Sequence, residues 1–355
     1  MTFKPSPRNR QAAKAMEPAI DPAGWTAEDL GANDDWVYEL SDVEINEVRE
    51  AVSAVERRGM DILDIRAEDF PLPHFDKGLA ELRDELHEGR GFNLIRGIPI
   101  ADFTKAQAGI AFWGIGTRFG RMLSQNAKGH MLGHVKDFGA DYEKINIRGY
   151  QTSAEMNFHS DQCDYVALMC IHPAKQGGAS RIASSVTLYN EMLKTHPELV
   201  KELVEEFYLT KHGETRPGEA PWYKTPVFSF QDGYLTVRGI GIRITKAQGL
   251  PGVPPFTEAQ KAAIKLFRET ARKIYFDMDF RPGDIQIVHN HVMLHTRTAF
   301  EDWPEPERKR HLMRLWITPE EGDGRPVIPG YRENFQDIGV EGTVQSAPVD
   351  DLEPV

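Results

Sequence analysis

The sequence predicts a mainly β fold with flanking helices, a sandwich or jelly roll, on three observations. Short strand-like runs are scattered from Gly91 to Ile317, most of them bounded by Gly or Pro. Helix patterns with capping residues lie before and between those runs. No regular alternation of strand and helix occurs, which argues against a parallel βα architecture and leaves helices packed around folded antiparallel strands.

Taken in chain order, residues 1–24 are rich in Pro, Lys and Arg without periodicity and read as an arm. Ser41-Asp42-Val43-Glu44 places a hydroxyl three residues before a carboxylate, which predicts a helix to Arg58 with Gly59 as its stop. Leu79, Leu82 and Leu86 predict a second helix over 78–88, and 91–99 reads as a short strand between glycines. Thr104 is the cap expected for a helix over 103–119. The stretch 122–148 is loop-like and suits the mouth of a site. Strand character dominates 158–183, broken by Pro173 and Gly177-Gly178, and an amphipathic helical region follows over 188–206. Residues 212–226 form a Pro- and Gly-bearing insertion of the kind that covers a site. Tyr234 to Ile244 alternates as a strand, Thr257 opens the longest helix, and 284–288 and 312–317 are strands again. From Glu320 the chain is acidic and shows no core pattern.

Composition narrows the function classes. A chain of 355 residues with 40% hydrophobic and 27% charged residues is an ordinary globular protein, and β folds of this size exist as one domain. Its net charge of −12 argues against a nucleic-acid partner, whose phosphates need clustered Lys and Arg. Cys163 and Cys170 are too few for a disulfide framework and read as buried thiols. The first twenty residues hold no apolar secretory core, and no apolar run reaches the ~18 residues a membrane span needs, so no membrane partner and cytoplasmic residence are the expectations.

His159-Ser160-Asp161 carries the chemistry. On an extended strand residues i and i+2 share a face, so an imidazole and a carboxylate emerge side by side. With one distant His they form the facial triad that leaves three positions open on octahedral iron. Alone, the motif is common and weak. The second half of the pattern lies near the C-terminus. His289, His291 and His295 crowd seven residues, and at most one fits the third ligand position. Arg310 and Arg314 share a strand face; the plainer reading of each is an internal salt bridge, the sharper one a guanidinium fork gripping a ligand carboxylate. Gly177-Gly178-Ala179-Ser180 adds a close backbone approach and a hydroxyl donor, on its own only a turn.

In this order the set resembles the taurine dioxygenase-like (TauD/TfdA) family of Fe(II)- and 2-oxoglutarate-dependent oxygenases. The resemblance runs from about Gly91 to Ile317 and includes Phe92-Asn93-Leu94-Ile95-Arg96-Gly97, Gly283-Asp284 and Leu294-His295-Thr296-Arg297-Thr298. It implies a double-stranded β-helix, the cupin-like jelly roll, with Fe(II) held by His159, Asp161 and His295. It implies 2-oxoglutarate bound by Arg310, with Arg308 as a second assignment because the spacing from His295 is long, and by Ser180 where the family usually has Thr. Retention of Asp161 argues against halogenation. The implied reaction takes O2, decarboxylates 2-oxoglutarate to succinate and CO2, and hydroxylates a substrate carbon. The chain is then one catalytic domain over 1–355: an N-terminal arm and helices over 1–90, a jelly-roll core over 91–320 carrying a helical and loop insertion at 184–232, and a tail over 321–355.

For the small-molecule substrate, Gln125 and Asn126 in the loop after Ser124, Arg238, and Arg314 are the expected contacts, and these arginines point to an anion. No His occurs at 123–127, which disfavours taurine itself. Helices outside the barrel offer a surface for a homo-oligomer. Two alternatives keep the fold: a cupin-like metal-dependent hydrolase using His289, His291 and His295, and a non-catalytic small-molecule-binding protein. The hydrolase has no need of 2-oxoglutarate, and the intact motif set argues against the second.

Overall fold

In the computed structural model, which describes residues 3–126, 128–137, 153–211, 215, 218–332 and 344–349, the capping residues do start helices. After α1 (Ala27–Gly31) and β1 (Val37–Glu39), α2 (Asp42–Arg58) begins at Ser41. The Ser41 hydroxyl accepts from the Glu44 amide, and the Glu44 carboxylate accepts from the Ser41 amide. Gly59 ends the helix at φ +61°, a left-handed turn in which a Cβ would be strained. α3 (Phe75–Glu88) starts three residues before the expected 78, β2 (Phe92–Arg96) follows, and Thr104 caps α4 (Lys105–Gly116). The loop-like stretch contains β3 (Arg121–Leu123) and β4 (Gly133–Val135); its part over 138–148 lies outside the described residues.

The segment read as strand over 158–183 resolves into β5 (Tyr165–His172), β6 (Gln176–Gly177) and β7 (Ser180–Ser184). The single helical region over 188–206 is two helices, α5 (Ser185–Thr195) and α6 (Pro197–Leu203), because Pro197 has no amide to continue a helix but suits the first position of a new one. β8 (Glu206–Thr210) and β9 (Trp222–Pro226) pair across the insertion, of which 212–214 and 216–217 are outside the described residues. β10 (Phe228–Gln231) pairs with β11 (Tyr234–Val237). The strand expected to reach Ile244 stops at Val237, and α7 (Ile242–Lys246) replaces its end. The physical reason is a close approach. A Cβ on Gly239 would lie 2.5 Å from the Ser160 nitrogen and 2.8 Å from the His159 carbonyl carbon, so the chain leaves the sheet there to pass against His159 and Ser160. α8 (Glu258–Ile274) equals α2 in length, and β12 (Phe276–Met278), β13 (Ile285–His289), β14 (Met293–Arg297), β15 (Phe300–Glu301) and β16 (His311–Thr318) complete the order.

The large sheet runs β1-β2-β13-β5-β16-β3, with β4 also on β16; a smaller sheet runs β12-β7-β14, and β6 pairs with β15. Side-chain alternation assigns the two faces of the large sheet. Tyr165, Ala167 and Met169, Ile285 and Ile287, and Met313, Leu315 and Ile317 join Val52, Leu82 and Phe112 of α2, α3 and α4 in one buried cluster. The alternate residues Val166, Val288 and Trp316 join Ile182, Ala183 and Leu294 of the smaller sheet in another. This two-sheet core is the jelly roll. Gly283-Asp284 and Arg96 brace its edge: Asp284 accepts from Arg96 Nη2 at 2.8 Å and from the Arg281 amide at 2.9 Å.

Both ends of the chain depart from expectation. In the arm, Ala19 and Ala23 are buried, and Arg10 is paired with Asp21 at 2.9 Å. In the tail, buried Arg325 also pairs with Asp21, and Tyr331 is buried. Charge pairing anchors these segments, so no apolar periodicity announced it.

Candidate metal centre

His159 and His295 meet through their backbones. Each amide donates to the other's carbonyl, at 3.1 and 2.9 Å, in an isolated antiparallel bridge that sets the imidazole centroids 4.4 Å apart, the rings tilted at 51°. The chain around His159 is therefore not the continuous strand expected. One bridge pair forms, the Asp161 amide then donates to Asn290 Oδ1 at 3.0 Å, and the carboxylate faces both rings. The ligand atoms of His159, Asp161 and His295 lie within 4.8 Å of one another, the one such group among the described residues.

Their electronic state suits a cation. His159 Nδ1 contacts the Asn157 carbonyl at 2.9 Å, so Nδ1 carries the hydrogen and Nε2 presents its lone pair 3.9 Å from Asp161 Oδ1. His295 Nε2 lies 3.9 Å from Asp161 Oδ2. Burial, with His159 beside it, lowers the His295 pKa to about 3, so its ring is neutral. Burial alone favours a protonated Asp161, but Arg314, His295, His159 and the Trp316 indole N–H outweigh it and hold the carboxyl well below its usual range. Two imidazole nitrogens and one carboxylate are the donor set of non-haem ferrous sites.

The group opens into a cavity of about 500 Å³, open mouth included, walled also by Met156, Leu168, Ser180, Arg297, Arg310 and Arg314. Arg310 precedes β16 and is buried, yet among the described residues its guanidinium forms no ion pair, and Nη1 has no hydrogen-bond partner. The nearby Asp302 carboxylate accepts from the Arg310 backbone amide instead. Burial pushes the Arg310 pKa down to about 10, which leaves it cationic at neutral pH. Such a charge is costly without an anion. The cavity is thus built for one, and the carboxylate of a keto acid fits. Gly178, at φ +70°, lets the chain pass close to it; a Cβ there would lie 3.0 Å from Arg310 Nε. Ser180 also faces the cavity, with its hydroxyl donating to Gln286 Oε1 at 2.9 Å.

Of the residues read as substrate contacts, Arg314 lines this cavity, while Gln125, Asn126 and Arg238 stand outside its described walls. Asn126 Oδ1 accepts from the Lys128 and His130 amides and closes a loop. Arg238 is buried over the Tyr331 ring at 4.4 Å, with Nη1 3.5 Å from the Asp161 carbonyl oxygen. Arg308 is a surface residue over Trp303, paired with Glu305. His289 and His291 do not join His295 in a metal-ligating group: His291 Nε2 lies 2.9 Å from Asp164 Oδ1, and His289 packs edge-on to Tyr165. Sequence reasoning missed Trp316, whose indole N–H donates to Asp161 Oδ2 at 2.9 Å, and Asn290. For Trp316 a signal existed, since 310, 312, 314 and 316 alternate onto one face. For Asn290 there was none.

The comparisons agree with this geometry. The chain is 30% identical over 317 residues to FR-33289 synthase of Streptomyces rubellomurinus (strain ATCC 31215), covering 88% of this chain and 93% of that protein. It is also 30% identical to taurine hydroxylase-like protein SAT17 of Stachybotrys chartarum (strain CBS 109288 / IBT 7711), covering 86% and 80%. Among solved structures, an asparagine oxygenase in complex with Fe(II), 2S,3S-3-hydroxyasparagine and succinate shares the fold. Its TM-score is 0.63 at 17% identity, over 79% of this chain and 93% of that one. The model of the taurine catabolism dioxygenase TauD, TfdA family matches residues 56–316, well over half the molecule, and the chain belongs to that family.

Proposed function

We propose that this protein is an Fe(II)- and 2-oxoglutarate-dependent dioxygenase that hydroxylates a small anionic organic molecule. The observation that carries the reading is Arg310: a buried guanidinium with no anionic partner among the described residues, sharing one cavity with His159, Asp161 and His295. Iron, 2-oxoglutarate and O2 together supply the chemistry, in which substrate C–H becomes C–OH while the keto acid becomes succinate and CO2. The protein's own residues do the rest. His159, Asp161 and His295 would hold the metal. Arg310 fixes the far carboxylate of the keto acid and so sets the direction from which it approaches. Ser180 assists by turning its hydroxyl from Gln286 to that carboxylate. Leu168, Leu312 and Val135 line the cavity with apolar surface and keep it poor in water.

An anionic substrate is supported by Arg297, a cation in the wall of the same cavity in addition to Arg310 and to Arg314, whose charge Asp161 already balances. The proposed unit is a single catalytic domain over 1–355. Among the described residues no helix is long and apolar enough to cross a membrane; cytoplasmic residence, absence of nucleic-acid and membrane partners, and self-association through the outer helices belong to the same proposal.

The test is anaerobic addition of Fe(II) and 2-oxoglutarate to the metal-free protein. A weak visible charge-transfer band is expected, lost in Asp161→Ala, and a screen of small acids against neutral isosteres should find acids that stimulate succinate release. A protein that shows no band, with or without the substitution, contradicts the proposal.

A further inference from the structure

We infer that Gln125 and Arg314 form a lock on the iron-binding carboxylate, so that Arg314 is a positioning residue acting through Asp161 rather than a contact for the substrate. The inference rests on the proposed iron site. Arg314 Nη1 lies 3.5 Å from Asp161 Oδ2, the same oxygen that accepts from the Trp316 indole at 2.9 Å. On its other side, Arg314 Nε donates to Gln125 Oε1 at 2.7 Å. Gln125 Nε2 in turn donates to the Arg314 carbonyl at 2.8 Å and to the Met131 carbonyl at 3.0 Å. One buried amide therefore grips the arginine by both backbone and side chain.

Gly133 makes this possible. It stands opposite Arg314 in the β4–β16 register, and a Cβ there would lie 2.4 Å from Gln125 Oε1. Any side chain at 133 displaces the amide. Gln125, Gly133, Arg314 and Trp316, from three separate segments, thus act on one oxygen.

The consequence is coordinative. With the Trp316 indole donating to Oδ2 and the Arg314 cation 3.5 Å from it, Oδ2 is the more engaged oxygen and Oδ1 the one open to iron. A carboxylate held to one oxygen would take one position on a bound metal rather than two, leaving more of it to the co-substrates. A substrate that drew the guanidinium away from Oδ2 would also weaken its bond to Gln125, a buried acceptor.

The experiment is an anaerobic Fe(II) titration of the full chain in saturating 2-oxoglutarate, without any primary substrate, followed by the visible band. Gln125→Met touches neither metal nor cavity, yet it should raise the half-saturating Fe(II) concentration about tenfold and shift the band, as loss of a group orienting a ligand does. Arg314→Met should do at least as much, and Arg314→Lys should recover part of it by keeping a cation beside Asp161. Trp316→Phe, which keeps the ring and removes the donor, should also shift the band; together with Arg314→Lys it serves as the test if the bolder variants fail to fold. Variants that titrate Fe(II) like the wild type, with Arg314→Met altering only the response to substrate, overturn the lock alone. Wild-type protein without a band overturns the iron site and the lock with it.

Discussion

Arg310 and Arg314 lie four residues apart on one face of the same strand region and line the same cavity, but their surroundings are opposite. Arg314 is gripped by Gln125 and lies beside the Asp161 carboxylate, whereas the Arg310 guanidinium has no carboxylate partner among the described residues. Sequence alone assigns both to the same inward face. The difference teaches that a buried cation with its counter-charge already present is part of the framework, and one without it is waiting for a ligand. The histidines repeat the lesson: His291 already has Asp164, while His295 Nε2 faces the cavity with His159 and Asp161.

The sharpest way to break this contrast is Arg310→Met. The half-saturating 2-oxoglutarate concentration should rise by roughly a hundredfold or more, the loss expected when one partner of a desolvated charge pair is removed. Calorimetry of the protein free of metal and keto acid should show the opposite sign: relieving an unpaired buried charge stabilises it by about 1–3 kcal/mol. Arg314→Met should instead destabilise that free protein by roughly 2–4 kcal/mol, because Asp161 loses its nearest counter-charge. Equal thermal behaviour of the two variants removes the distinction.

A smaller effect comes from the opposite face of the same strand. His311 contacts His134 at 2.7 Å, and burial, with His134 beside it, lowers its pKa to about 2. The folded state therefore binds this proton less readily than the unfolded chain, where a histidine titrates near ~6.5. Stability from His311 is complete above that pH and falls as the solution is acidified, by up to about 1.4 kcal/mol per pH unit. Denaturant melts between pH 7 and 5 should show the decline, and His311→Gln should make it shallower, the remainder belonging to other buried histidines such as His295. The smallest effect belongs to Ser180→Ala, a few-fold rise in the 2-oxoglutarate requirement at unchanged Fe(II) affinity, measured by the same visible band.

What was legible in the sequence follows from the range of the interactions. Helix starts at Ser41, Thr104 and Thr257 depend on neighbours three residues away, so local spacing revealed them. The β pattern and the meeting of His159, Asp161 and His295 were accessible because period-two alternation and the ordered motifs each leave a trace. The split at Pro197 was also written locally, although the periodicity of 188–206 masked it. The end of the strand at Val237 was not, since it depends on Gly239 passing the backbone of His159 and Ser160. Alternation along β16 put Trp316 on the face of Arg310 and Arg314, but its partner, like those of Gln125 and Asn290, lies far away in the chain, and no spacing rule encodes which groups such residues meet.

The central claim is that one metal ion sits between His159, Asp161 and His295. Iron-edge anomalous diffraction from crystals grown anaerobically with Fe(II) and 2-oxoglutarate tests it most directly. The account predicts one peak bounded by the Nε2 atoms of both histidines and by Asp161 Oδ1, with the keto acid extending toward Arg310. A peak at His289 and His291, or a keto acid directed away from Arg310, contradicts it.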